Sequence, residues 1–289
     1  MEESKYLDPY TDTGFKRVFG REETKELLID FLNELFADKQ DFDPVVDVAY
    51  LDKEKVEDED KPKTIIYDVF CTCQNGRRFI VEMQQKAQPH FKERSVFYVS
   101  QAVCEQAIKG SSWNYAALPV YGVFFLNFKM PDLEPKVKVS ISLRDDETGK
   151  LFSSLTRYEF IQLPYFKKKE DECESGFDKW IYVLNNLKDM DAIPFTREKK
   201  IFNKLKEVRD LSGMTPEERI KYRHELKAMR DLNAAFEYAI DEGHAKGHAE
   251  GHAEGRAEGR AEEKMEIALQ LKSMGMDSDF IFQATGCRL

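Results

Sequence analysis

The sequence predicts an α/β fold in which helices flank a mixed sheet, with an α-helical extension at the C-terminal end. Three features lead to that reading. Two helical patterns open the chain. Short apolar or alternating runs bounded by turn residues then recur between 45 and 163, and from about Met190 the pattern is helical to the last residue. The corresponding division is a core at 1–188, a helical region at 189–242, a repeat helix or linker at 243–263, and a pair of short helices at 264–289.

Asp12, ahead of Phe15, Val18 and Phe19, reads as the N-cap of the first helix. In 22–35, Leu27, Leu28, Phe31, Leu32 and Leu35 fall at helical spacing. Strands are expected at 45–51, 64–73 and 78–85, the last two joined at Asn75-Gly76, a strong hairpin signal. The charged residues 52–63 read as an exposed loop. A helix at 92–109, a buried strand at 118–128, strands at 136–143 and 158–163 around a turn at 147–149, and a helix at 177–187 carrying Trp180 complete the core.

Thr215-Pro216-Glu217-Glu218 then opens a long helix: Thr as N-cap, Pro at the first helical position, Glu where a capping box needs it. Five tetrapeptides of the form Gly-(His/Arg)-Ala-(Glu/Lys) follow from Gly243 to Glu262. Their period of four nearly matches the helical repeat, so the alanines form a slowly drifting stripe. Each Gly costs a helix about 1 kcal/mol relative to Ala. Such a segment calls for a partner helix, here a second copy of the chain.

Hydrophobic residues make up 42% of the 289, enough for a packed core. The longest apolar runs, such as 120–125, are too short to cross a bilayer, and the polar, acidic N-terminus has no signal-peptide stretch. A cytoplasmic protein without membrane association is expected. Five scattered cysteines fit reduced thiols; Cys71 and Cys73, two apart on a strand, would make only a strained disulfide. The net charge of −10 is repelled by phosphate. A DNA partner would therefore have to meet a local basic cleft, for which Arg77 and Arg78, 86–94, 167–169 and 197–206 are candidates, helped by bound metal ions.

Asp68, Glu82 and Gln84 carry the chemistry. Hydrolysing a phosphodiester needs a nucleophilic water, charge stabilisation at phosphorus and help for the leaving oxygen, which carboxylate-held Mg²⁺ can supply. Glu82 and Gln84, two apart, share one face of a strand, and both acids interrupt apolar runs where a carboxylate is costly without a partner. A two-residue loop at Asn75-Gly76 would set Asp68 opposite Met83, on the wrong face from Glu82. A three-residue loop with Gly76 in the left-handed conformation and a bulge sets Asp68 opposite Glu82, so the site requires the odd loop.

Asp68 followed by Glu82-Met83-Gln84, preceded by Asp12-x-x-Phe15-Lys16 and followed by Arg94-x3-Tyr98, resembles the Rpn-type recombination-promoting nucleases and transposase-like proteins of bacteria. The resemblance continues through Gly110-x4-Tyr115, 120–128, Gln162-Leu163-Pro164-Tyr165-Phe166, Asp178-Lys179-Trp180 and the Gly-x-Ala-Glu tail. It implies a PD-(D/E)XK, restriction-endonuclease-like sheet and a metal-dependent DNA endonuclease acting in recombination or transposition. It further implies that Asp68 and Glu82 bind Mg²⁺ or another divalent cation such as Mn²⁺. Gln84 stands where most relatives of the wider fold have Lys; it can orient a water but carries no charge, which implies weaker catalysis. Asp12 matches an early acidic position, and Arg94 with Tyr98, one helical turn apart, could line the cleft or simply pair and pack.

The rival reading is a catalytically weak or inactive, transposase-derived module that binds DNA or a protein partner, which the acidic net charge favours and the intact triad opposes. His244, His248 and His252 recur at i, i+4 and i+8, a spacing able to hold a metal. Arg256 and Arg260 take the same place in the repeat, which marks a solvated polar face instead.

Overall fold

Alternation along one strand decides how the sheet is covered. The computed structural model describes residues 5–51, 66–107 and 114–289; the acidic loop at 52–60, Gly110, and the expected element ends at 64–65 and 108–109 lie outside them. The elements are α1 (Asp12–Phe19), α2 (Lys25–Leu35), β1 (Val48–Tyr50), β2 (Val69–Cys73), β3 (Arg78–Gln84), α3 (Phe91–Cys104), β4 (Val120–Leu126), β5 (Lys138–Arg144), β6 (Leu151–Gln162), α4 (Gly176–Asn186), α5 (Ile201–Val208), α6 (Pro216–Ser273) and α7 (Ser278–Thr285). On β3, Phe79, Val81 and Met83 enter the larger core with α1, α2, α4 and α5, where Phe19 and Phe31 pack on Phe125 and Trp180 packs on both of them. Ile80 enters the other core, with Phe91, Val99 and Ala102 of α3. Glu82 and Gln84 share the face of Ile80 by the strand's period of two.

The six strands run β1-β2-β3-β4-β6-β5. β1, β2 and β3 are antiparallel neighbours, β3, β4 and β6 run parallel, and β5 closes the far edge antiparallel to β6. A parallel β3–β4 pair needs a crossover, and α3 is that crossover. Gly122 lets it come close, because a Cβ there would meet Val99 Cγ2 at 2.8 Å. This is the α/β architecture expected, a mixed sheet flanked by helices with a helical C-terminal extension.

Several local readings change. Thr11, not Asp12, caps α1: its hydroxyl accepts the Gly14 N–H at 3.0 Å, and Asp12 is the first helical residue. β6 begins at Leu151, seven residues before the expected start at 158, because Leu151 and Ser153 are paired with the returning strand β5. The capping box at the start of α6 forms as read, Glu218 N–H to Thr215 Oγ1 at 3.2 Å and Thr215 N–H to Glu218 at 3.0 Å. α6 then continues without a break through all five glycine repeats. All five cysteines are free thiols.

The chain forms two compact units, 1–226 and 227–289. Within the second, Ala268 and Ile281 are buried, and Gly275 at φ 81° makes the turn into α7.

Candidate active site

The β2–β3 hairpin sets the site. Cys73 N–H bonds to Arg77 O at 2.9 Å, leaving Gln74, Asn75 and Gly76 as a three-residue loop. Gly76 takes the left-handed conformation, φ 79°, and Asn75 Oδ1 braces the turn by accepting the Arg77 N–H at 3.2 Å. This is the odd loop that the acidic pair requires. From it the register runs Thr72–Arg78, Cys71–Phe79, Phe70–Ile80 and Val69–Val81, and the next step sets Asp68 opposite Glu82.

Two cross-strand bonds fasten the pair. Asp68 N–H donates to Glu82 Oε1 at 3.0 Å, and Met83 N–H donates to Asp68 Oδ2 at 2.9 Å. Each carboxylate is thus held by the main chain of the other's strand. Glu82 is only 5% exposed. Burial, and then the negative charge of Asp68, push its carboxyl up to about 8, against the pull of the Asp68 N–H and the cations Arg94 and Lys16. Two facing carboxyl groups, one of them buried, are the arrangement that a cation relieves.

Helix α3 supplies the wall. Tyr67, next to Asp68, packs edge-on against Tyr98 at 5.6 Å and donates its hydroxyl to Tyr98 O at 3.3 Å. The Tyr98 hydroxyl is itself raised by burial and by Glu82, with Arg94 opposing. The Arg94 guanidinium lies 5.7 Å from the Tyr98 ring and 5.0 Å from that of Phe91, and donates to Gln88. Gln84 is partly exposed, and its amide makes only a long contact, 3.4 Å, to Met83 O. The end of β3 is tied to the loop before α1, where Gln85 donates to Tyr10 O.

Five of the six residues singled out from sequence therefore gather on one face and end of the sheet: Asp68, Glu82, Gln84, Arg94 and Tyr98. Asp12 is different, since its carboxylate bridges Lys16 and Lys221 at the start of α1. It touches the site through Lys16, whose charge reaches Glu82. Tyr67 is the participant that sequence reasoning missed, and an aromatic residue immediately before a site acid was the available signal. Lys16 stood in the Asp12-x-x-Phe15-Lys16 motif, but nothing in the sequence gave it a role beside Glu82.

The expected basic patches are mostly engaged. Arg77 is buried against Phe42 and Tyr121 with Asp43, Lys168 pairs with Asp178, and Lys199 pairs with Asp30 and Glu34. The histidines of α6 are exposed, as a solvated polar face requires. Among the described residues no three His, Cys, Asp or Glu side chains gather as a metal cluster.

The model of the PD-(D/E)XK nuclease family transposases matches residues 9–239 of this chain. The chain belongs to that family. The matched span contains every residue of the site, and membership carries nuclease-type hydrolase chemistry and a nuclease- or transposase-related role. PD-(D/E)XK nucleases generally use divalent metal ions, and the family suggests DNA as the substrate. No curated protein and no solved structure matches the chain. No helix among the described residues is long and apolar enough to cross a membrane.

Proposed function

We propose that this chain is a metal-dependent DNA endonuclease acting in recombination or mobile-element movement, with Asp68, Glu82 and Gln84 as its catalytic residues. The observation that carries this reading is the fastened acidic pair, the buried Glu82 and the partly buried Asp68 facing each other across a hairpin. Asp68 and Glu82 would hold Mg²⁺ or Mn²⁺. Hard cations take oxygen ligands, and Mg²⁺ is commonly held by one or two carboxylates plus waters and substrate phosphates, so two acids suit it, with no cluster of three ligand side chains among the described residues. When bound, such an ion supplies a nucleophilic water at neutral pH and offsets charge developing at phosphorus.

Around that centre the chain's own residues bind and orient. The opposite strand's N–H groups fix both carboxylates, so neither can swing away. Burial and the negative charge of Asp68 favour the protonated form of Glu82, so uptake of a cation by the pair would be accompanied by release of a proton. Gln84, on the same face and two residues on, offers its uncommitted amide to a water or a phosphate oxygen. Being neutral, it neither titrates nor stabilises negative charge as a lysine would, and turnover slower than in lysine-bearing relatives is expected.

The long helix fits a role in assembly. Leu232, Phe236 and Ile240 fall at i, i+4 and i+8 and are 43%, 41% and 56% exposed, and the glycine repeat beyond has little helical preference of its own. A second copy of this helix would cover that face and the alanine stripe beyond it, and truncation after Asp231, which removes both, should convert an oligomer to a monomer; an unchanged oligomeric state would end the idea.

The central test is incubation of purified protein with supercoiled plasmid. Nicking or linearisation in Mg²⁺, abolished by EDTA and absent in Asp68→Ala, is expected. Nicking that survives EDTA, or that the alanine variant retains, would rule out this site.

A further inference from the structure

Phosphodiester hydrolysis builds negative charge on the phosphate oxygens, and a neutral Gln84 leaves a cation to be found elsewhere. The geometry points to Arg94 of α3 as the residue that places this positive charge against the scissile phosphate. The inference rests on the nuclease reading above.

Other cations near the pair are already engaged. Lys16 also acts on Glu82, but its ammonium is bound by the carboxylate of Asp12. Lys92, two residues before Arg94, pairs with Asp132 at 2.7 Å. Arg94 is different on three counts. Among the described residues its one hydrogen-bond acceptor is the neutral amide of Gln88. Its Nε is buried with no hydrogen-bond partner among them. Its guanidinium is pressed against the rings of Phe91 and Tyr98, while Tyr98 is pinned to Tyr67 beside Asp68. A planar cation held by two rings, with a donor left over, next to two carboxylates, is preorganised for a planar or tetrahedral oxyanion.

In the reaction, the bond from the attacking water oxygen to phosphorus forms and the bond from phosphorus to the leaving sugar oxygen breaks. The water's proton passes to solvent, and the leaving oxygen takes one up. Arg94 stays protonated throughout and acts only as donor and counter-charge. The alternative role is structural, a guanidinium that merely clamps Phe91 and Tyr98 together.

The experiment uses the full chain and a fluorescently labelled DNA duplex, with Ca²⁺ for binding and Mg²⁺ for cleavage. In Arg94→Gln the slope of log affinity against log salt should fall by about one, the signature of one lost phosphate contact. Single-turnover cleavage should fall by about 10²–10³-fold, as when an oxyanion donor is removed, while Mn²⁺ affinity changes by less than about threefold. Arg94→Gln combined with Gln84→Lys should recover about tenfold or more of that loss, because the charge returns from the strand. An unchanged salt slope in Arg94→Gln would overturn the assignment, whatever happens to cleavage, because a structural clamp contacts no phosphate. Should that variant fail to fold, Arg94→Met, which keeps an apolar stem against the two rings, decides by the same readout: a slope lower by about one supports the assignment, and an unchanged slope overturns it. A wild type that binds DNA with the expected slope change yet never cuts in Mg²⁺ would sink the nuclease reading and leave the phosphate contact standing.

Discussion

Glu82 and Glu159 are both buried glutamates of the same sheet, on opposite faces, and both carboxyls are raised by burial. Their neighbours differ in sign. Glu159 on β6 accepts Ser140 Oγ at 2.5 Å and feels Lys39, Lys138 and Arg157, all of which favour its charged form. Glu82 faces Asp68, which disfavours it. The acid among cations has its charge balanced within the fold; the acid opposite an acid has a balance that must arrive from outside. Burial alone does not mark a site, and the sign of the nearest charge does.

The largest effect should separate the two glutamates by activity. Asp68→Ala or Glu82→Ala is expected to lower plasmid cleavage by about 10³-fold or more, since metal-ion catalysis contributes several kcal/mol and each tenfold is about 1.4 kcal/mol. Glu159→Gln should leave cleavage within about threefold, because no reacting atom depends on it. Equal losses at both positions would erase the distinction.

Stability should reverse the order. Glu159→Ala removes the acceptor of Ser140 and leaves buried Arg157 and half-buried Lys138 less compensated, a cost of about 1–3 kcal/mol in denaturant unfolding. Glu82→Gln in metal-free protein should be neutral or stabilising, because it removes the cost of burying an ionisable carboxyl opposite Asp68.

The pH dependence sharpens the same point. A carboxyl raised in the fold favours its neutral form, so its contribution is complete below the unfolded pKa, about 4.3, and is lost as pH rises through about 8. Melting curves in EDTA from about pH 5 to about pH 9 should therefore show the wild type losing stability relative to Glu82→Gln. Added Mg²⁺ should restore it at the alkaline end.

A smaller effect comes from the turn. Gly76→Ala would place a Cβ 2.5 Å from Leu118 at a positive φ, costing about 1 kcal/mol or more and loosening the register that aligns the two acids. Chemical denaturation measures the first, and a rise in the Mg²⁺ concentration needed for cleavage the second.

Much of this was legible before the structure. Asn75-Gly76 and the need for one shared face fixed the loop length, because a one-residue slip moves every side chain of a strand to the other side. The capping box at Thr215 was equally plain, being a four-residue rule. What escaped notice depends on distant contacts. Thr11 and Asp12 are both good caps. The choice falls on Thr11, whose side chain reaches Gly14, while Asp12 turns to Lys221 on a helix 209 residues away. The early part of β6 is too polar to read as a strand and exists through its pairing with β5. Arg77 reads as a candidate for a basic cleft but is buried against Tyr121 and paired with Asp43.

The account turns on the acidic pair as the seat of a divalent cation, and calorimetric titration of Mn²⁺ tests that most directly. In buffers of different ionisation enthalpy the wild type should bind Mn²⁺ with release of a proton near neutral pH, while Glu82→Gln should bind far more weakly and release none. Binding of equal affinity and equal proton count in both proteins would contradict it.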